Sequence, residues 1–156
     1  MQFTKTTQTT TQAMYGVVNF FETACSIEYD PWVHAESLRI PIIYRELPTP
    51  EMIACYSHDH RAIFLRSGLH GATERSALAH EIVHAEHGDI GHSALQEARA
   101  DRIAARRLIR PSRIEELLSG IEDPAAIALE LAVTEEIMSA YIQLLRSGRV
   151  TLYGQR

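Results

Sequence analysis

Residues 73–88 constrain this chain more than any other stretch of it. Thr73 can cap a helix, and Gly88 stands where a C′ glycine closes one, so the span is expected to be a single helix. Inside it lies His80-Glu81-Ile82-Val83-His84. Residues four apart share a helix face. His80 and His84 can therefore aim two imidazoles at one metal ion, and Glu81 can reach a water beside that ion. The spacing is the HExxH pattern. A bare HExxH also arises by chance on a solvated helix face. The helix signals at both ends, and a second helix downstream with Glu97 and Asp101, weigh against chance.

A catalytic zinc site takes three protein ligands and keeps one position open. Ser93 with Gln96 three residues on reads as a capping box. It opens the second helix, expected to run to about Ile109 and to stop at Pro111. Glu97 lies near its start, and Asp101 shares its face four residues on. Glu97 would complete the coordination. Asp101 would accept a hydrogen bond from the second nitrogen of a ligand histidine, which fixes tautomer and ring orientation. His92, in the intervening loop, competes for the third position. A third histidine at the HExxHxxGxxH spacing is absent, because His87 and Ile90 occupy those places. One zinc ion per chain, held by His80, His84 and Glu97 with Glu81 as general base, is the gluzincin arrangement. Oxyanion stabilisation would fall to Tyr44, Tyr56, His58, His60, His70 or Tyr153, which the sequence does not rank.

The rest of the chain sets the fold class. Residues 1–12 are polar and repetitive and are expected to form a flexible tail. Met14, Val17, Val18, Phe21, Ala24 and Cys25 come next at helical spacing, so a helix is expected over 13–28, before Asp30-Pro31 interrupts the chain. Ile40, Ile42 and Tyr44 alternate with other residues, and residues 52–56 and 62–65 are short apolar runs around His58-Asp59-His60. These predict a small, mostly antiparallel sheet with one hairpin. Beyond Pro111, Ser112 with Glu115 suggests a capped short helix ending near Gly120. Asp123-Pro124 opens another, and Thr134 caps a last helix that ends before Gly148. The fold class is α+β. The sheet packs on the HExxH helix and the second ligand helix, and a C-terminal helical, HTH-like subdomain completes the chain. The boundaries are 1–12 tail, 13–110 zinc metallopeptidase core, 111–147 helical extension packed on the core, and 148–156 tail.

A chain of 156 residues with a net charge of -5 offers no global case for binding nucleic acid. Cys25 and Cys55 lie far apart with no CxxC pair, and are expected to be reduced thiols. No signal-like or membrane-length apolar run is present, so a cytoplasmic protein without a membrane partner is expected.

At residues 75–111 the sequence resembles the ImmA/IrrE metallopeptidases. The resemblance rests on Leu78-Ala79-His80-Glu81-Ile82-Val83-His84, on Glu97-Ala98-Arg99-Ala100-Asp101-Arg102-Ile103-Ala104-Ala105, and on Leu108-Ile109 before Pro111. Ile103 replaces the usual aromatic, and Arg107 stands where leucine is common. The resemblance implies Glu97 as third ligand. It also implies a zinc endopeptidase that cleaves a helix-turn-helix transcriptional repressor as a regulatory switch, of a kind carried by phages and mobile elements.

Residues 124–146 have the outline of a helix-turn-helix. The second helix opens with Glu135-Glu136, which would repel phosphate, so no direct nucleic-acid contact is expected and the pair is read as structural. Arg99, Arg102 and Arg106 form a stripe on the Glu97 helix, expected to be a solvated outer face. Two alternatives stay open. One is a non-catalytic, zinc-stabilised protein-binding module. The other is a DNA-binding regulator using the C-terminal helices.

Overall fold

The computed structural model describes residues 28–152. The tail expected at 1–12, nearly all of the helix expected over 13–28, and residues 153–156 lie outside the described residues, with Cys25 and Tyr153 among them. In chain order the elements are α1 (Pro31–Ser37), β1 (Ile42–Tyr44), β2 (Ala54–Ser57), β3 (Ala62–Leu65), α2 (Gly71–His87), α3 (Ala94–Leu108), α4 (Pro111–Leu118), α5 (Pro124–Glu130) and α6 (Glu135–Arg146). The class is α+β, and no helix among the described residues is long and apolar enough to cross a membrane.

Local chemistry accounts for most element ends. Ser93 and Gln96 form a reciprocal capping box at α3. The Asp123 side chain accepts from Ala125 N–H with Pro124 in the first turn of α5, and Thr134 caps α6. Gly88 ends α2 at φ 62, a left-handed conformation that glycine adopts without a Cβ clash. Three ends differ from expectation. α2 starts at Gly71, because the His70 side chain rather than Thr73 accepts from the first turn. α4 starts at Pro111 itself, since proline suits a position whose N–H needs no partner, and the Ser112–Glu115 box is not used. Asp30-Pro31 does not merely interrupt the chain. Asp30 accepts from Trp32 and Val33 N–H and opens α1, by the same chemistry as Asp123-Pro124.

The sheet is mixed rather than mostly antiparallel, in the order β1-β3-β2. The turn after β2 makes the expected hairpin, antiparallel with β3, while β1 takes the other edge of β3 in parallel. The cause is burial. Ile63 and Leu65 are fully buried, so β3 is the central strand, and β1 covers its remaining edge. That choice is tertiary, and local alternation does not encode it.

α2 is the hub. Leu78, Ala79, Ile82 and Val83 are all fully buried, as in a helix packed on more than one side. Leu78 and Ile82 join Ala35, Ile63 and Leu65 between sheet and α1. Burying two such side chains contributes about 1.5–3 kcal/mol each. Ala79 turns the other way, into a larger cluster with Ala104, Ala105 and Leu108 of α3 and with Ile114, Ile127, Ile137, Tyr141 and Leu144 of the C-terminal helices. Residues 111–147 therefore share a core with both helices of the histidine site.

Candidate metal centre

Four successive residues of α2 point in four directions. Leu78 faces the sheet and Ala79 the helical core. His80 faces α3, and Glu81 faces β2. Alanines at the crossing of α2 and α3 (Ala79, Ala100, Ala104 and Ala105, all fully buried) let the helices approach closely. The turn between them uses left-handed glycines at Gly88 and Gly91. Glu97 is thereby brought over His80 and His84.

His80 Nε2 lies 2.9 Å from His84 Nε2 and 3.1 Å from Glu97 Oε2, and His84 Nε2 lies 3.6 Å from Glu97 Oε1. Ligands about 2.0–2.2 Å from a tetrahedral zinc sit about 3.3–3.6 Å apart, so these separations suit one small cation after slight adjustment. His80, His84 and Glu97 form the one group of this kind among the described residues, and it could hold a metal ion.

The outer contacts decide the tautomers. His80 Nδ1 donates to Asp101 Oδ1 at 2.9 Å, and His84 Nδ1 donates to Asp89 Oδ2 at 2.8 Å. A carboxylate only accepts, so the proton of each neutral imidazole sits on Nδ1. Both Nε2 lone pairs then converge on each other and on a carboxylate, an arrangement that calls for a cation.

The charges agree with that. Burial pulls the His80 pKa down, but the Asp101 hydrogen bond and the charges of Glu81, Asp101 and Glu97 outweigh it and leave the pKa raised. Burial pushes Glu97 up, but His92, His84 and His80 overcome it, so its pKa is lowered. Asp89 is held down at about 2, chiefly by its hydrogen bond from Arg99, and stays ionised throughout the neutral range.

Glu81 is 7% exposed. One of its oxygens accepts the Tyr56 N–H at 2.6 Å. Burial drives its pKa up, against the opposing influence of His80, His84 and that N–H. Such a carboxylate can both take a proton and hold it.

The Tyr56 contact also orients β2. Arg66 N–H donates to Ile53 C=O, so residue 53 faces β3. Backbone polar groups alternate along a strand, so those of Ala54 and Tyr56 point to the open edge, on the Glu81 side. A cavity of about 430 Å³ opens there, lined by Ile53, Ala54, Ala77, Glu81, Glu136 and Ile137 among others.

Other expected residues fall into place around this group. His92 Nδ1 lies 3.1 Å from Glu97 Oε1, so the competing histidine meets the third carboxylate, with its side chain 64% exposed. His87 donates to Val83 C=O and points away from the group. Among the oxyanion candidates, Tyr44 is engaged by Glu74 and Trp32. His60 bonds Ser57, and His70 caps α2. Tyr56 and His58 remain together at the end of β2, rings edge to face. The arginine stripe is not wholly an outer face, because Arg99 pairs with Asp89 and so supports His84. Sequence reasoning missed Asp89. Its signal was faint: a carboxylate directly after the C′ glycine, where the chain folds back beside the last turn of α2.

Compared with protein-family models, with curated proteins and with solved structures, the chain matches none.

Proposed function

We propose that this protein is a zinc-dependent endopeptidase of the ImmA/IrrE kind. The observation that carries the reading is the convergence of two Nε2 lone pairs and the Glu97 carboxylate beside buried Glu81. The donor set of two imidazoles and one carboxylate is that of catalytic zinc in hydrolases. A bound zinc ion would polarise a peptide carbonyl and bring the pKa of a water toward about 7. The chain's own residues would do the rest. An extended substrate can lie along the open edge of β2 and use the outward-pointing backbone groups of Ala54. Glu81 takes a proton as the water oxygen bonds to the carbonyl carbon. It then delivers that proton to the amide nitrogen as the C–N bond breaks, and the water's second proton passes from the new carboxyl group to the amine, leaving a carboxylate and an ammonium. Tyr56 N–H holds the second oxygen of Glu81 and keeps the carboxylate aimed.

The substrate is the one the resemblance implies: a helix-turn-helix transcriptional repressor, cut in the cytoplasm as a switch. The sequence of α5 and α6 has the outline of an HTH pair. With Glu135 and Glu136 in the first turn of α6, we assign that pair to the cleft rather than to a DNA duplex. A zinc-stabilised binding module would have no use for a buried glutamate beside the ligands.

The experiment is metal analysis and proteolysis together. Purified protein should carry about one zinc per chain and cut an unfolded protein or a candidate repressor, and a chelator should stop the cutting. Zinc-loaded protein that cuts nothing would return the choice to the binding module.

A further inference from the structure

We propose that the cavity beside Glu81 is a side-chain subsite selective for lysine or arginine, with Glu136 as the selecting carboxylate. The inference rests on the peptidase reading and adds a substrate chemistry to it. The walls are of two kinds. Ile53, Ala54, Ala77 and Ile137 are apolar and flank the reacting position on the β2, α2 and α6 sides. Three carboxylates also line the cavity, and no lysine or arginine does. Two of the three are committed: Glu81 to Tyr56 N–H, and Asp101 to His80. Glu136 has no hydrogen bond or ion pair among the described residues.

An aliphatic wall ending in an uncommitted carboxylate matches a side chain with a methylene stem and a cationic tip. A leucine or phenylalanine would fill the apolar part and leave Glu136 without a counter-charge. An acidic residue would be repelled by all three carboxylates.

The backbone that carries Glu136 is held in place by the fold. Thr134 Oγ1 caps α6 by accepting Ile137 N–H. Thr134 N–H in turn donates to the Oγ of Ser76, a residue 2% exposed on α2, at 3.1 Å. Arg75, the residue before it, bonds the carbonyls of Leu131 and Ala132 in the turn that leads into α6. The first turn of α6 is thus fastened to the helix that carries His80 and Glu81. The main chain at Glu136 keeps a fixed offset from the reacting position, within reach of its side chain.

The test uses two probes that share a metal-binding group and differ only at the side-chain tip: Nα-acetyl-lysine hydroxamate and Nα-acetyl-norleucine hydroxamate. Their binding to zinc-loaded protein is measured by calorimetry. The lysine probe should bind about twofold to fivefold tighter, the range expected for one exposed ion pair at a cleft wall. Glu136→Gln should bring the ratio to about one. Glu135→Gln removes the same charge from the same helix turn outside this cavity and should leave the ratio unchanged. Equal binding of the two probes to the wild type, a preference that survives Glu136→Gln, or no binding of either probe each overturns the inference. The underlying reading fails separately. A lysine preference without proteolysis keeps the subsite and refutes the peptidase. Proteolysis without the preference does the reverse.

Discussion

Replacing Asp89 with alanine should weaken metal binding more than replacing Asp101 does. Each carboxylate holds the Nδ1 of one histidine, at 2.8 Å for His84 and 2.9 Å for His80. Removing such a partner typically costs about 10–100-fold in metal affinity, because the imidazole loses both its fixed tautomer and part of its basicity. Exposure separates the two. The Asp101 side chain is 43% exposed, so water can take over at His80 Nδ1, whereas that of Asp89 is 7% exposed and leaves His84 Nδ1 walled in. Asp101→Ala should therefore fall near tenfold and Asp89→Ala near a hundredfold, a difference of about 1.4 kcal/mol in binding free energy. The assay is competition for zinc against a chromophoric chelator at neutral pH. Arg99→Ala is the control. It breaks the ion pair to Asp89 but spares the bond to His84, and should change affinity by less than about tenfold. If Asp89→Ala bound zinc like the wild type, or if Asp101→Ala were the weaker binder, the assignment of Asp89 as the support of His84 would be wrong.

Glu81→Gln should keep its zinc and lose proteolysis by about 10²–10⁴-fold, measured as metal content beside turnover; retained turnover would remove Glu81 from the mechanism. Glu97→Ala should lower zinc affinity far more than His92→Ala, since Glu97 presents Oε2 to His80 and Oε1 to His84, whereas His92 is exposed, bonds only Glu97 Oε1 and meets His84 edge to face; the reverse order in the chelator assay would make His92 the third ligand. Gly88→Ala should cost about 1–2 kcal/mol in denaturant unfolding, because residue 88 has φ 62 and an added Cβ would meet only His58 Cε1 at 3.8 Å, so the cost is backbone strain rather than a clash. An unchanged unfolding midpoint would contradict that.

The parts legible in the sequence are those that neighbours along the chain determine. Spacing along one helix brings His80 and His84 to one face, and spacing along the next does the same for Glu97 and Asp101. The caps at Ser93, Asp123 and Thr134 are bonds between residues two or three apart. What escaped depends on distant partners or on a competing local signal. β1 lies parallel to β3 because of which strand is buried. Arg99 looks like surface charge until Asp89 folds against it. The β2 backbone that orients Glu81 carries no signature, because an N–H is the same for every residue type that has one. α1 was within reach, since Asp30-Pro31 repeats the signal of Asp123-Pro124.

The two ligand helices cannot be understood as a module to which the C-terminal helices are added. α3 has one edge turned to the metal group, through Glu97 and Asp101, and buries Ala104, Ala105 and Leu108 in the same cluster as Ile114, Ile127, Ile137, Tyr141 and Leu144. Its axial position relative to α2 is therefore set by direct packing on α2 and by packing against α6, which the same cluster ties to α4 and α5. A tetrahedral site tolerates errors of only about 0.2 Å in its ligand distances, so a slip of α3 by a fraction of its roughly 1.5 Å rise per residue would spoil the coordination. The bonds from Ser76 and Arg75 to the turn before α6 act at the same junction from the α2 side. The core that fixes the metal geometry is thus also the core that carries Glu136 to the cleft wall. Any partner that shifted α6 would change substrate selection and metal geometry together, since one packed cluster holds both.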